Sequence, residues 1–306
     1  LQTGLAQLAP DLIERCELVL VERSPALRQR QQQRLSGLGG CPVRWCSIEE
    51  LQAAPVQGVV LAHELLDAFP VDRLVLHQEK LALQGVRLQQ NDRLTSAPLA
   101  VPDALQDQLQ TSGFELPPPG SDDGWTTEWH STLRPWMASL ASAVTDGALL
   151  VIDYALEASR YYTARRSDGT LMAYRQGMAG LNPLAQAGEQ DLTAHLCIET
   201  LTQVAAHHGW QLQDQRRQGE ALLALGLAND LHALQRLPAT ELAQALKRRE
   251  ALLRLVDPAA LAFDTAISPA GKLQAGTTFP TQPVVEILKS SNNALMTAHR
   301  TVDVRV

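Results

Sequence analysis

The chain has 306 residues, of which 45% are hydrophobic, so it can bury one large core or a core with a subdomain. Its formal net charge of −7 argues against a nucleic-acid surface, which requires clustered lysine and arginine. No apolar run approaches the roughly 18 residues that a membrane span requires. The four cysteines form no C-x-x-C pair, which indicates free thiols in a reducing compartment, a cytoplasmic location and no metal site.

The first part of the chain alternates short apolar segments with helical ones. After the first strand, Ser24 is predicted to cap a helix whose first residue is Pro25. The alternation of strand and helix is typical of a doubly wound, mostly parallel sheet with helices on both faces. The chain is therefore predicted to have an α/β fold, with its first three strands at residues 18–22, 43–46 and 58–62.

An insertion is predicted at about residues 72–125. It opens with a hairpin, because residues 72–78 and 80–89 alternate apolar and polar side chains. Residues 97–123 carry five prolines and are predicted to be irregular, apart from one helical turn. After the insertion, residues 126–144 have the spacing of a single amphipathic helix.

A further buried strand is predicted at residues 147–153, and the polar, aromatic residues 154–195 that follow show no periodicity. A loop of this length within a compact domain is usually functional. Residues 211–217 are predicted to form a strand, with helices on either side. These features predict one domain at residues 1–263 and an irregular tail at residues 264–306.

The stretch GVVLAHELLDAFPV at residues 58–71 places two carboxylates just beyond a buried strand. Glu64 and Asp67 follow that strand directly, and Pro70 ends any helix that continues from them. Ligands in open α/β sheets bind at the carboxyl edge of the strands, which makes the two acids candidates for a binding site. The alternative is that both are solvated acids in the first turn of a helix.

Several blocks, taken in order, resemble one family. They are VERSPALR at residues 21–28, ELLDAFPV at 64–71, LVIDY at 150–154, DGTL at 168–171, AYR at 173–175 and GEQDLTAH at 188–195. His63 stands where the family usually has asparagine. Over about residues 1–255 the chain resembles the MidA/NDUFAF-seven family of S-adenosylmethionine-dependent methyltransferases.

The resemblance implies a Rossmann-like class I methyltransferase fold with an inserted substrate-side subdomain. It also implies S-adenosyl-L-methionine as the cofactor. The mitochondrial members, which act in complex I assembly, imply an arginine of a partner protein as the methyl acceptor. The family's first strand ends in a Gly-rich loop that is expected just before Leu1, so the methyltransferase domain is expected to be N-terminally incomplete. A homodimer is left open.

The residues expected to bind the cofactor are Glu22, Ser24, Ser47 and His63. Glu22 ends the first strand of this sequence, where a carboxylate can accept hydrogen bonds from both ribose hydroxyls. Ser47 follows the next strand and is placed to meet the adenine. The alternatives are a surface acid at a strand end for Glu22 and an ordinary loop serine for Ser47.

The residues expected to act on the substrate are Glu64 and Asp67. A carboxylate can bind a guanidinium bidentately and orient one nitrogen towards the methyl group, and the sulfonium donor requires no metal. Further residues expected on the substrate side are Asp153, Tyr154, Tyr174, Arg175, Asp191 and His195. The alternative for Arg175 and Asp191 is that they only pin the long loop by a salt bridge.

Three functions are compatible with the sequence. The first is a protein arginine methyltransferase. The second is a nicotinamide-dependent oxidoreductase, because Glu22 would also fit a dinucleotide ribose, although the ELLDAFP block has no role in that chemistry. The third is a non-catalytic assembly or binding module on the same fold. The sequence upstream of Leu1 would distinguish among them.

Overall fold

The computed structural model describes residues 1–37, 40–90, 93–175, 178–180, 182–256 and 283–290. The part before the insertion consists of α1 (Gln2–Leu8), α2 (Pro10–Ile13), β1 (Leu18–Val21), α3 (Pro25–Leu35), β2 (Val43–Cys46), α4 (Ile48–Ala53) and β3 (Val56–His63). The inserted part consists of β4 (Asp72–His77), β5 (Lys80–Leu88), β6 (Leu94–Leu99), α5 (Asp103–Thr111) and β7 (Thr126–Trp129).

The second half begins with the elements α6 (Leu133–Ala143), β8 (Val144–Leu156), α7 (Ala158–Tyr161), β9 (Met172–Arg175), β10 (Met178–Gly180), β11 (Asp191–Thr193) and β12 (Leu196–Cys197). It continues with α8 (Ile198–His207), β13 (Trp210–Arg217), α9 (Gln218–Ala224), α10 (Leu227–Leu234), α11 (Leu242–Arg254) and β14 (Pro283–Ser290). Within the described ranges, no helix combines the length and apolar character needed to cross a membrane.

The predicted α/β fold is confirmed as a mixed fold that contains parallel strand pairs and helices. Strands β1 and β2 pair in parallel, and β3 pairs in parallel with β8. The prediction of a single, mostly parallel sheet is wrong. Strands β1 and β2 form a sheet of their own, while β14 runs antiparallel to both β8 and β13.

Close contact between β3 and β8 depends on a pair of glycines. Gly58 and Gly147 are partners in the parallel register, and a Cβ on Gly147 would overlap the carbonyl of Gly58. A side chain on Gly147 would therefore push the strands apart. Glycine at this position therefore permits the close pairing of β3 with β8, and the His63 end of β3 lies beside Ile152 because the two strands are parallel.

The inserted part forms a four-stranded antiparallel sheet in the order β6, β5, β4, β7. The predicted hairpin is confirmed, with β4 paired to β5. Two details of the prediction are wrong. Residues 94–99 form strand β6, and the helix predicted at residues 126–144 starts only at Leu133, because residues 126–129 are fully buried and pair with β4.

The long segment at residues 154–195 is not a bare loop. It contains α7 and a small antiparallel sheet in the order β10, β9, β11. The tail predicted to be irregular also contains a strand, since residues 283–290 form β14. The remainder of that predicted tail lies outside the described residues.

The main hydrophobic core lies between the β3–β8 pair and helices α6 and α8. Its fully buried members include Leu149 and Val151 of β8, Leu133 and Met137 of α6, and Leu201 of α8. Complete burial of such a side chain stabilises a protein by about 1.5–3 kcal/mol. A second cluster joins the inserted sheet to α7 and β12, so the insertion is packed firmly against the main sheet.

Candidate functional site

The turn that follows β3 has an unusual backbone. Glu64 has a φ of 46°, in the left-handed region that residues other than glycine rarely adopt. Its backbone N–H donates to the carbonyl oxygen of Ile152 at 2.8 Å, which carries the β3–β8 pairing one residue further. Strained backbone is a frequent property of functional sites.

Asp153 holds this turn in place from the neighbouring strand β8. Its Oδ2 accepts backbone N–H groups from Leu65 at 3.2 Å, Leu66 at 2.9 Å and Asp67 at 3.4 Å. Its Oδ1 accepts the N–H of Tyr154 at 2.9 Å. With only 1% of its surface exposed, Asp153 lies at the edge that the sequence indicates, but its oxygens are engaged by the backbone.

Asp67 is buried beside Asp153, and the two carboxyl groups are hydrogen-bonded to each other. Burial, and after it the neighbouring charges of Asp153 and Glu64, raise the pKa of Asp67 from 3.8 to about 7. Burial also raises the pKa of Asp153, against the lowering effect of its backbone hydrogen bonds. The pair therefore retains a proton well above the pH at which ordinary aspartates lose theirs.

The proton on Asp67 should make stability depend on pH. The folded-state pKa is about 7 and the ordinary value is 3.8, so the stability due to this group is complete below pH 3.8 and is lost as the pH rises to about 7. We expect the free energy of unfolding of the wild type, relative to Asp67→Asn, to fall by up to about 1.4 kcal/mol per pH unit in this window. Urea unfolding of both proteins at several pH values measures this difference.

The comparison with Asp67→Asn is needed because two histidines, the buried His130 and the half-buried His195, act in the opposite sense. Burial lowers the pKa of His130 and of His195 from 6.5 to about 4. Their effect reduces stability as the pH falls, and it is common to both proteins. A difference between wild type and Asp67→Asn that stays constant over this pH range would contradict the raised pKa of Asp67.

Glu64 differs from the two aspartates because its side chain is open to solvent. Half of that side chain, 51%, is exposed, and Oε1 lies 3.9 Å from Nε2 of His63, itself 58% exposed. Sequence analysis placed His63 with the cofactor and Glu64 with the substrate, and the structure places them side by side at the same strand end. Glu64 is thus an accessible carboxylate close enough to the buried acid pair for its charge to raise the pKa of Asp67.

Three of the four residues expected to bind the cofactor, Glu22, Ser24 and Ser47, lie just after β1 and β2. The backbone N–H of Glu22 donates to the carbonyl oxygen of Cys46 at 3.2 Å, which brings Glu22 next to Ser47. The Glu22 carboxylate accepts the N–H of Ser24 at 2.7 Å and the side-chain amide of Gln31 at 3.3 Å. These contacts fix the carboxylate and leave further lone pairs on both oxygens.

Both serines at this edge also cap helices. The Ser24 hydroxyl accepts the N–H of Leu27 at 3.3 Å and the Ser47 hydroxyl accepts that of Glu50 at 3.2 Å. Capping is therefore a sufficient structural reason for either serine. A hydroxyl that accepts one bond can still donate its own hydrogen, so the binding roles expected for Ser24 and Ser47 stay predictions.

Tyr154 and His195 meet at the rim of the site. Their ring centroids lie 6.0 Å apart in an edge-to-face arrangement. His195 is held through its backbone, because its N–H donates to Thr170 Oγ1 at 3.1 Å and its carbonyl accepts from Nε2 of His130 at 2.8 Å. The next residue back, Ala194, donates to the carbonyl of Asp67 at 2.9 Å and ties the long segment to the turn after β3.

The remaining substrate-side residues lie on the small sheet of the long segment. Tyr174 of β9 is opposite Asp191 of β11 in the antiparallel register. Arg175 forms its ion pair with Glu189, at 2.7 Å, and also hydrogen-bonds to the side chain of Gln186. The salt bridge considered between Arg175 and Asp191 is therefore replaced by one to Glu189, two residues earlier.

Sequence analysis missed Glu128, which lies on β7 with none of its side chain exposed. Residues 126–144 were predicted to form an amphipathic helix with Glu128 off its apolar face, which gave no reason to look for a buried acid there. It accepts hydrogen bonds from Thr170, whose D-G-T block was noted only as part of the family pattern. The D-G-T block could therefore have indicated the turn at residues 168–170, but not that Glu128 is the partner of this turn.

The chain matches a family model over residues 3–215, and the description of that family is "Putative S-adenosyl-L-methionine-dependent methyltransferase". The matched range is well over half of the 306 residues. The chain belongs to this family. Membership confirms the predicted reaction class, methyl transfer, and the predicted cofactor, S-adenosylmethionine, at the level of the family. No curated protein matches the chain.

Two solved structures from Burkholderia thailandensis share the fold. One, of an uncharacterized protein, has a TM-score of 0.71 and 22% identity, over 91% of this chain and 67% of the other. The second, solved with bound S-adenosyl-homocysteine, has a TM-score of 0.72 and 22% identity, over 96% of this chain and 68% of the other. At this level of identity the likeness supports the fold of this methyltransferase family member, and the chain spans about two thirds of each relative.

Proposed function

We propose that the protein transfers a methyl group from S-adenosylmethionine to an arginine of a partner protein, on a Rossmann-like class I fold of the MidA/NDUFAF-seven type. The observation that carries this proposal is the position of Glu64. It is an exposed carboxylate in a strained turn, close to two buried acids, at the strand edge where ligands of open α/β sheets bind. A concentration of negative charge at this point favours a cationic acceptor.

The residues at the ends of β1 and β2 fit an adenosyl group. Glu22 is half-buried, fixed by Ser24 and Gln31, and retains acceptor capacity for two ribose hydroxyls. When bound, S-adenosylmethionine supplies a methyl group on a sulfonium, which is already activated for transfer. The solved relative with bound S-adenosyl-homocysteine supports a site of this kind.

On the acceptor side, Glu64 would bind the guanidinium. A guanidinium is protonated in solution and presents pairs of N–H groups that match a carboxylate. Glu64 would hold two of these N–H groups, direct one nitrogen towards the methyl group, and accept the proton that this nitrogen releases. Asp67 and Asp153 keep the turn rigid, so that the nitrogen is held in the reactive position.

A cytoplasmic location is part of the proposal, since none of the four cysteines forms a disulfide and three of them, Cys41, Cys46 and Cys197, are buried thiols. Burial raises the pKa of the Cys197 thiol to about 11, which keeps it unreactive. Whether the protein acts as a homodimer stays a prediction.

Glu22→Ala should weaken binding of S-adenosylmethionine by about 1–3 kcal/mol, because charge-assisted hydrogen bonds to the ribose are lost. Calorimetry on the full-length protein measures this affinity. Glu17→Ala is a matched control, since Glu17 precedes the other end of β1 and pairs with Arg44 at the surface. Equal affinity in wild type and Glu22→Ala would remove Glu22 from the site.

The reaction itself is tested by labelled-methyl transfer. The full-length protein is incubated with methyl-labelled S-adenosylmethionine and lysate proteins from a strain that lacks the gene. Mass spectrometry of the labelled proteins then identifies the modified residue. A methylated arginine supports the proposal, whereas a modified lysine, glutamine or small molecule would refute the arginine assignment.

A further inference from the structure

Glu128 is a buried carboxylate that belongs to the inserted sheet and faces the main domain. Its Oε2 accepts the N–H of Thr170 at 2.7 Å, the hydroxyl of Thr170 at 3.0 Å and the hydroxyl of Tyr161 at 3.4 Å. Nε of Arg73 lies 3.7 Å from Oε1 and provides the opposite charge. Burial of a carboxylate is unfavourable unless such partners are present. These hydrogen bonds and the charge of Arg73 therefore offset the desolvation penalty of Glu128.

The turn at residues 168–170 is shaped around this carboxylate. Gly169 has a φ of 71°, and a Cβ at this position would overlap the Glu128 carboxylate. Both its conformation and the close contact therefore require glycine. Arg73 fixes the preceding residue, because its Nη2 donates to the carbonyl of Asp168 at 2.9 Å. The inserted sheet thus contacts the turn at residues 168–170 through Arg73 of β4 and Glu128 of β7.

Thr170 carries this arrangement on to the candidate site. Its hydroxyl donates its hydrogen to Glu128, and the same oxygen accepts the backbone N–H of His195 at 3.1 Å. The ring of His195 packs on Tyr154, and the adjacent Ala194 is bonded to Asp67. A continuous series of contacts therefore joins Glu128 to the turn that carries Glu64.

We propose that Glu128 is a positioning residue for the methyl acceptor: through Thr170 it sets the place of His195 and Tyr154 at the rim of the site. This inference rests on the proposed function. Glu128 has no exposed surface and does not touch substrate itself. The inserted sheet then has a specific task, which is to hold the rim against the catalytic edge, rather than only adding buried area.

The test uses three variants of the full-length protein. Glu128→Gln removes the charge opposite Arg73 and puts an amide NH2 in place of one oxygen, where it faces either the Thr170 N–H or Arg73. Thr170→Val removes the hydroxyl while it keeps the shape. Both should raise KM for the acceptor protein about 10-fold to 100-fold, the scale on which misplaced groups cost rate, with affinity for S-adenosylmethionine unchanged. Thr170→Ser keeps the hydroxyl and should restore the wild-type KM.

Hydrogen exchange gives a readout that does not depend on activity. In Thr170→Val and Glu128→Gln the amide of His195 should exchange faster, while amides of the main core keep their wild-type rates. Thr127→Val is the matched control. It lies next to Glu128 on β7, and its buried hydroxyl has no hydrogen-bond partner among the described residues. It should change neither the exchange of His195 nor KM.

Three results would overturn the inference. The first is unchanged exchange of the His195 amide in Thr170→Val. The second is a KM within about twofold of wild type in Glu128→Gln, well short of the cost of misplaced groups. The third is faster exchange throughout the chain with an equal loss of cofactor affinity, which would make Glu128 merely structural. If the wild type methylates no arginine, the proposed function is refuted. The positioning role of Glu128 is then tested by the hydrogen exchange of the His195 amide alone.

Discussion

Replacement of Asp153 by asparagine should lower the free energy of unfolding by about 3 kcal/mol, the range seen when a buried charged acceptor is lost. Asp153 accepts four backbone N–H groups, three of which come from residues 65–67. Asparagine offers one carbonyl oxygen, and its NH2 group would face N–H donors that it cannot satisfy. Chemical unfolding followed by circular dichroism should show a lower midpoint with an unchanged slope.

A surface aspartate provides the control for this experiment. Asp214 pairs with Arg216 at 2.8 Å, and both side chains are more than 40% exposed, so Asp214→Asn should change stability by less than about 0.5 kcal/mol. If Asp153→Asn were equally mild, its backbone contacts would not be what holds the turn. A second measurement addresses the same point, since loss of the Asp153 carboxyl should lower the pKa of Asp67.

Glu64→Gln should reduce methyl transfer by about 100-fold or more, with almost no change in affinity for S-adenosylmethionine. Glutamine keeps the shape of the side chain but loses its charge and one of the two acceptor oxygens. The guanidinium would then be bound through one oxygen and turned away from the methyl group. Initial rates with the identified acceptor protein, together with calorimetry for the cofactor, separate the two effects.

Two further variants make the interpretation specific. Glu115→Gln removes an exposed acid from the inserted segment and should leave the rate unchanged. Asp67→Asn should have a smaller effect than Glu64→Gln if Asp67 mainly braces the turn. An undiminished rate in Glu64→Gln would refute the role of Glu64 even if arginine proved to be the acceptor.

The middle of strand β8 could be predicted because its side chains are buried or half-buried. Residues 147–152 form an uninterrupted apolar run that ends at Asp153, which is the pattern of a strand covered on both faces, and they lie within β8. The hairpin at β4 and β5 was equally evident, because one face of an antiparallel pair packs on the core and imposes alternation. Local sequence is enough wherever burial alone decides the structure.

Strand β7 shows where local sequence is insufficient. Trp129 and Leu133 have the spacing of one helix face, but Trp129 belongs to the strand and Leu133 to α6. The strand is decided by its pairing with β4, which no window of sequence contains. The backbone contacts of Asp153 and the burial of Glu128 escaped prediction for the same reason, since their partners lie far away in the chain.

Strand β14 has a consequence for the order in which the protein folds. It lies between β8 and β13 and is hydrogen-bonded to both, and β13 has no other strand partner among the described residues. During synthesis, residues 210–217 leave the ribosome well before residues 283–290 and must wait for them. Pairing between such distant segments is slow, because the loop between them has to close first. The last part of the main sheet should therefore form only after translation has passed residue 290, whereas the parallel pair of β3 and β8 can form much earlier.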